Sequence, residues 1–469
     1  MVAVLLPCAV LGQVDEATRA LARDIFRELI QINTTDSAGD NTAAAKAMAK
    51  RFLDAGFAPG DVQVLVPEGR ATKGNLVVRM RGAAGSGRKP ILLLGHLDVV
   101  EARREDWTTD PFEFVEKDGY FYGRGTEDMK DYVAVMVTTL LRFRREGFVP
   151  SRDVILALTS DEEGGTANGV DWLLKKHRGL VEAEFVLNGD AGGVTTENGK
   201  AIDVGVAAAE KLYADYQLTV TNPGGHSSRP TPENAIYRLA AALGRLERAP
   251  FPLELNPVTR GYFAKVAAHE TARNAADMKA LLGNPPDAGA VARLSEDARY
   301  NSLLHTTCVA TRLNAGHANN ALPQTAQAVV NCRILPGHSP EEIRGELVKR
   351  VGDAKVAVRY VDGATNTVME RAPGQAGLAP AMPTAEVMQA LERVADTLWP
   401  GAGVVPNMET GASDSKYTLA AGMPSFGVGE IAIERNDDRS HGKDERIRVS
   451  SFYEAVDFFG RFLGSLTGK

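Results

Sequence analysis

Ile91-Leu-Leu-Leu-Gly-His-Leu-Asp98 is an apolar run that ends in an imidazole and a carboxylate. A short apolar run bounded by turn-forming residues reads as a strand buried on both faces. Two more runs have the same form. Val154-Ile-Leu-Ala-Leu158 leads into Asp161-Glu162-Glu163, and Phe185-Val-Leu187 leads into Asp190. Open α/β sheets bind their ligands outside the carboxyl ends of the strands. Strands that end in acids and a histidine therefore build a site along that edge. Oxygen and nitrogen donors in this number suit one or two divalent cations, zinc first. The pattern points to a metal-dependent hydrolase.

Around these strands the hydrophobic period alternates between two and three to four residues. Helices are expected over 17–32, 41–55, 132–146 and 168–177, and strands over 62–66, 75–81, 91–94, 153–159 and 184–188. Strands alternating with helices predict an α/β fold, a mostly parallel sheet flanked by helices. After Glu210 the pattern changes. Strands are expected at 212–221, 306–313, 325–335 and 355–361, with helices over 234–248 and 340–351. The second helix opens on Ser339 with Glu341 and Glu342 in its first turn. That β-α-β-β-α-β order is ferredoxin-like. Mostly helical material at 251–305 interrupts it. After Gly374 the α/β pattern returns, with helices over 384–398 and 450–466 and a strand at 424–428. The expected organisation is a catalytic domain in two pieces, 1–210 and 373–469, with an α+β domain inserted at 211–372.

Length and composition agree with this organisation. A chain of 469 residues is long for one domain. Its 44% hydrophobic and 24% charged content is that of a globular protein. A net charge of −7 argues against nucleic acid or an anionic membrane as the main partner. Cys8, Cys308 and Cys332 are odd in number and lack metal-type spacing, so Cys308 and Cys332 read as unpaired core residues. Val2–Gly12 is apolar but lacks a basic start. It reads equally as a trimmed export signal, implying a periplasmic or secreted protein, or as an apolar arm on a cytoplasmic one. No other stretch approaches the ~20 apolar residues of a membrane span.

Six motifs occur in one order: Gly95-His-Leu-Asp98, Gly123-Arg-Gly-Thr-Glu-Asp-Met-Lys130, Ser160-Asp-Glu-Glu-Gly164, Gly189-Asp190, Gly224-Gly-His-Ser-Ser-Arg-Pro230 and Ser440-His-Gly-Lys-Asp-Glu445. The second is glycine-rich and opens a helix, but it lacks the terminal Gly-Lys-Ser/Thr of a phosphate loop. Together the six resemble the dinuclear zinc peptidase and deacylase family of glutamate carboxypeptidase, carnosine dipeptidase, aminoacylase-1, acetylornithine deacetylase and succinyl-diaminopimelate desuccinylase. The resemblance runs from about Ala17 to the last helix.

The resemblance implies roles. Asp128 would bridge two Zn2+ ions per chain, with Co2+ or Mn2+ as substitutes. His96 and Asp190 would complete one ion's ligands, and Glu163 and His441 the other's. Glu162 would be the general base, and Asp98 would orient His96. His226, in the inserted domain, would help stabilise an oxyanion, as a lid residue of its own chain or of a homodimer partner. Arg333, Asn320 and Gly411 match weaker parts of the pattern as substrate-binding positions, Arg333 because an arginine fork suits a carboxylate. The implied activity is hydrolysis of an amide bond next to a free carboxylate, by a carboxypeptidase or dipeptidase. The alternative is an N-acyl-amino-acid deacylase. A non-catalytic metal- or ligand-binding relative is a remote third reading, since no base or ligand is missing.

Overall fold

Strand Ile91–His96 runs through the middle of a ten-stranded sheet, parallel to Val154–Thr159 on one side and Phe185–Asn188 on the other. The computed structural model describes residues 14–468, apart from 364, 377, 378, 381 and 430. The apolar segment Val2–Gly12 and Cys8 lie outside the described residues. The sheet is mixed. Its centre is parallel, while Asn75–Met80 joins Val154–Thr159 antiparallel, and Gly193–Glu197 folds back on Lys200–Glu210 through a tight turn at Asn198 and Gly199. The last two strands are too close in sequence for a crossover helix, so they pair antiparallel. This hairpin is not among the elements expected from periodicity.

The described residues divide into two compact units. One comprises the chain up to Ala208, Met382–Asn407 and the chain from Ser413 on; the other comprises Ala209–Ala381 and Met408–Ala412. In the first unit, helix Lys130–Arg145 packs between helices Glu16–Gln31 and Val449–Thr467. Its Tyr-Val-Ala-Val-Met-Val stretch has β-branched residues that lower helix propensity. Packing overrides that preference, since every residue from Lys130 to Phe143 is buried and the helix lies in the interior of the unit. At Gly189 a β-carbon would lie 1.7 Å from the Tyr132 ring, so glycine there lets this helix approach the sheet edge.

The second unit holds a five-stranded antiparallel sheet in the order Thr307–Ala315, Thr325–Ile334, Leu212–Thr221, Ala357–Val361, Val368–Met369. Helices Ala235–Glu247 and Pro340–Val351 share a core with it that includes Tyr216, Leu218, Leu239, Val330 and Leu347. The first four strands have the ferredoxin-like order. The 251–305 segment forms four helices, Pro257–Val266, Ala272–Leu281, Ala288–Leu294 and Ala298–Leu304. Each starts on a capping side chain: Asn256, Thr271, Asp287 and Asp297. No helix of the described residues is long and apolar enough to cross a membrane.

One expectation is corrected. Cys308 and Cys332 are not free thiols but form a disulfide. They are register partners on adjacent antiparallel strands, with Cα atoms 4.1 Å apart. Cross-strand pairing depends on register, which residue counting does not reveal. A cross-link with a sequence separation of 24 lowers the entropy of the unfolded chain, worth about 3 kcal/mol. Thiol titration of the denatured, unreduced chain should give one reactive cysteine, and reduction should raise this to three. Reduction should also shift the unfolding midpoint of the second unit downward by roughly that energy. Three reactive thiols before reduction would contradict the pairing.

Candidate metal centre

The parallel register places the chemistry. His96 is the last residue of its strand and lies opposite Thr159, and Leu94 lies opposite Asn188. The residues just past those strand ends, Asp161–Glu163 and Gly189–Asp190, therefore emerge at the same edge as His96. The Gly189 N–H donates to the Leu94 carbonyl and holds the Asp190 turn against the His96 strand. Asp128 comes from the turn that opens helix Lys130–Arg145, and His441 from a loop near the C-terminus.

Two donor groups result, His96–Asp128–Asp190 and Asp128–Glu163–His441. Asp128 Oδ1 lies 3.1 Å from His96 Nε2, and Asp190 Oδ1 lies 3.6 Å from that nitrogen. The other oxygen, Asp128 Oδ2, lies 2.9 Å from His441 Nε2, which is 3.0 Å from Glu163 Oε1. One aspartate thus offers an oxygen to each group. Buried His96 Nε2 and Asp128 Oδ1 make no hydrogen bond. Two such buried atoms, in a cluster of three carboxylates and two imidazoles, fit a pair of divalent cations. Among the described residues, His177, His269, His305, His317 and His338 join neither group.

The electrostatics of the cluster on its own are those of acids crowded together. Burial pushes Asp190 up to about 7 despite His96 beside it. Burial, then repulsion from Asp190, pushes Glu162 up to about 10. His441 is raised to about 10 by the Asp128 and Glu163 carboxylates. Burial opposes the charge on His96, but Asp128 and Asp190 outweigh it and raise its pKa. Burial also works against ionised Asp128, yet His441 and His96 hold it well below the usual carboxylate range.

Around the donors, the neighbours fix the geometry. His96 Nδ1 lies 3.0 Å from the main-chain oxygen of Asp98, while the Asp98 carboxylate is 3.8 Å away. The carboxylate instead accepts the Glu163 N–H at 2.9 Å. Asp98 therefore touches His96 through its backbone and Glu163 through its side chain, and burial raises its pKa to about 6. Asp161, in a left-handed conformation with φ of 60°, turns the chain before Glu162. Its carboxylate is held by Lys73 at 2.6 Å and by the Ala167 N–H at 3.0 Å. Lys73 was not singled out by the sequence, and no local signal marks it. Arg124 and Glu445 were also missed, although both fall inside quoted motifs.

His226, Asn320, Arg333 and Gly411 belong to the second unit. His226 is exposed, and its Nδ1 lies 2.7 Å from Ser228 Oγ. The short pair Gly225–His226 and Ala321–Leu322, together with a Ser227 N–H to Asn320 carbonyl bond of 3.0 Å, brings His226 and Asn320 to one loop cluster. Arg333 sits across from Tyr213 with its guanidinium 4.8 Å from the ring centroid. A β-carbon built on Gly411 would meet nothing within 4 Å.

An α/β sheet whose carboxyl edge carries two donor groups sharing one aspartate defines a metallohydrolase-type site. Residues 92–465 match the model of peptidase family M20/M25/M40, and the chain belongs to that family, as a hydrolase. It is 31% identical over 385 residues to the N-fatty-acyl-amino acid synthase/hydrolase PM20D1 of Homo sapiens, covering 79% of this chain and 72% of that one. It is 31% identical over 382 residues to a probable carboxypeptidase S-like 2 of Dictyostelium discoideum, covering 79% and 70%. Its fold is similar to an M20 family metallo-carboxypeptidase from Sulfolobus solfataricus, with a TM-score of 0.67, 16% identity and coverage of 97% and 99%.

The raised groups predict a pH dependence. Asp190, Glu162, His96 and His441 all have folded pKa values above their unfolded values of about 4 to 6.5. At these groups the metal-free folded chain binds more protons than the unfolded one, so its stability falls as pH rises between about 4 and 10, partly offset above about 7 by Lys130 and Lys211, which burial lowers to about 7. Asp128 has the opposite sign but acts only below about pH 4. Calorimetry in chelator should show the melting temperature declining over that window. Saturating divalent cation should flatten the decline, because cations replace protons on the donors. A melting temperature that rises with pH in chelator would contradict the electrostatics.

Proposed function

We propose that this chain hydrolyses an amide bond next to a free carboxylate with two divalent cations, Zn2+ first, as a carboxypeptidase or dipeptidase. The observation that carries the reading is the shared aspartate, with one Asp128 oxygen facing His96 and Asp190 and the other facing His441 and Glu163. His96 and Asp190 would hold one cation and Glu163 and His441 the other, with Asp128 within reach of both. When bound, the cations supply Lewis-acid charge at the substrate carbonyl and lower the pKa of water.

Glu162 is the proposed general base. It lies beside both groups and is not itself a member of either. It takes a proton from the attacking water and delivers it to the leaving nitrogen. Asp98 positions His96 and Glu163 through the contacts above. His226 donates to the developing oxyanion, Arg333 and Asn320 bind the substrate's polar groups, and Gly411 leaves room for its backbone. The 211–372 segment would act as a lid and homodimerisation domain. Its outermost strand, Thr307–Ala315, exposes Val309 and Leu313, as an edge awaiting a partner would.

A second reading, N-acyl-amino-acid hydrolysis, is favoured by the likeness to the human N-fatty-acyl-amino acid synthase/hydrolase. Both substrates place an amide next to a carboxylate, so the same residues serve either. Hydrolysis of dipeptides and N-acyl amino acids in parallel by the Zn2+-loaded enzyme decides between them. Glu162→Gln should keep metal content and melting temperature while lowering kcat by about 10²–10⁴-fold. Turnover near wild type would remove Glu162 as the base. His226→Ala should lower kcat by about 10²–10³-fold with both cations retained. Metal loss equal to that of His441→Ala would instead make His226 a ligand.

A further inference from the structure

We infer that Arg124 and Glu445 form a buried positioning pair that sets the cation seat made by Asp128, Glu163 and His441. The inference rests on the two-cation reading above. Helix Lys130–Arg145 begins without a side-chain cap of its own. The amides of the turn before it go instead to one distant oxygen. Glu445 Oε1 accepts the N–H groups of Gly125 at 3.1 Å, Glu127 at 2.7 Å and Asp128 at 3.2 Å. The other oxygen, Oε2, pairs with Arg124. Arg124 in turn donates to the main-chain oxygens of His441 at 3.4 Å and Gly442 at 2.9 Å, with its guanidinium 5.1 Å from the Trp107 ring centroid.

The two side chains therefore tie the turn carrying Asp128 to the loop carrying His441. Both are buried, Glu445 at 0% and Arg124 at 3% exposure. A buried ion pair is a poor stabiliser compared with apolar residues of the same volume. This one has a geometric use. His441 is left-handed, with φ of 60°, and its side chain is 53% exposed, so its own surroundings hold it weakly. The other seat differs. It shares Asp128, but His96 and Asp190 stand at the ends of neighbouring parallel strands and do not depend on the pair for their placement. Loss of the pair should weaken the Glu163–His441 seat first.

Zn2+ titration of the full-length chain against a competing chelator, with metal content by atomic emission, tests this. Wild type should take up two equivalents. Glu445→Gln puts an amide where a carboxylate gathers three N–H groups and a guanidinium. It should weaken the equivalent that depends on His441 about 10–100-fold, the cost typical of losing an outer partner of a ligand, and the other, which shares Asp128 but keeps His96 and Asp190, by clearly less. Arg124→Lys keeps a positive charge but loses the fork that reaches His441 and Gly442, and it should show the same selective loss with a smaller effect on melting temperature. It also serves if Glu445→Gln does not fold. Two equivalents at wild-type affinity in the folded variants would overturn the assignment. Equal weakening of both, in step with a fall in metal-free melting temperature, would make the pair merely structural and also overturn it. A wild-type chain that takes up fewer than two equivalents would overturn the two-cation reading itself.

Discussion

The first unit is arranged around one electrostatic problem, acids brought together with two imidazoles but no lysine or arginine among the donors. Three carboxylates and two imidazoles converge at the carboxyl edge of a buried parallel sheet, and two of their lone-pair atoms are buried with no hydrogen bond. Charge taken out of water in this way is tolerated only with compensation. The nearby basic side chains are occupied elsewhere. Lys73 pairs with Asp36 and Asp161, and Arg124 pairs with Glu445. In the metal-free cluster the compensation comes from protons, as the raised Asp190, Glu162 and His441 show. A divalent cation does the same work with less repulsion left over.

The fold serves that arrangement by making the donors' supports rigid. Three parallel strands, fully buried, fix the points from which His96, Glu163 and Asp190 leave the sheet. Helix Lys130–Arg145, buried on all sides, fixes the turn that carries Asp128, and Gly189 permits the close approach of helix to sheet edge. A donor on a packed element needs little else. His441, on a loop, needs partners brought from far along the chain. That difference explains why hydrogen bonds spanning more than three hundred residues gather around Glu445.

What could be read from the residues follows the same division. Buried strands and amphipathic helices announce themselves by period, and chain-reversing caps such as Asp40, Asn234 and Ser339 mark where helices begin. The antiparallel flank at 193–210 and the Cys308–Cys332 pairing depend on register, which no local pattern encodes. Donors at strand ends were legible because an acid straight after an apolar run is costly without a reason. Their supports were not. Lys73 sits in an unremarkable turn, and its relation to Asp161 is purely three-dimensional. The Asp98 contact was legible only in part. The residue was expected behind His96, but its main-chain oxygen makes that contact and its carboxylate holds the Glu163 amide.

Glu162 and Glu163 carry this point furthest, because as residues they are identical and adjacent. Strand geometry alone sends neighbouring side chains in opposite directions, but the chain has already turned at left-handed Asp161. What separates them is their partners. The Glu163 amide is bound by Asp98 and its Oε1 lies 3.0 Å from His441, so it is fixed at both ends. Glu162 belongs to neither donor group, and burial with repulsion from Asp190 drives it toward the protonated form. A carboxylate pinned by an amide and an imidazole suits a ligand, which must stay put. A carboxylate whose charge is set by its neighbours suits a proton carrier, whose affinity must change as charge moves beside it. Burial contributes most to the proton's hold on Glu162, and positive charge arriving beside Asp190 relieves the repulsion that adds to it. On the proposed reading, filling the cation seats and freeing Glu162 to act as a base are therefore coupled through the same buried space.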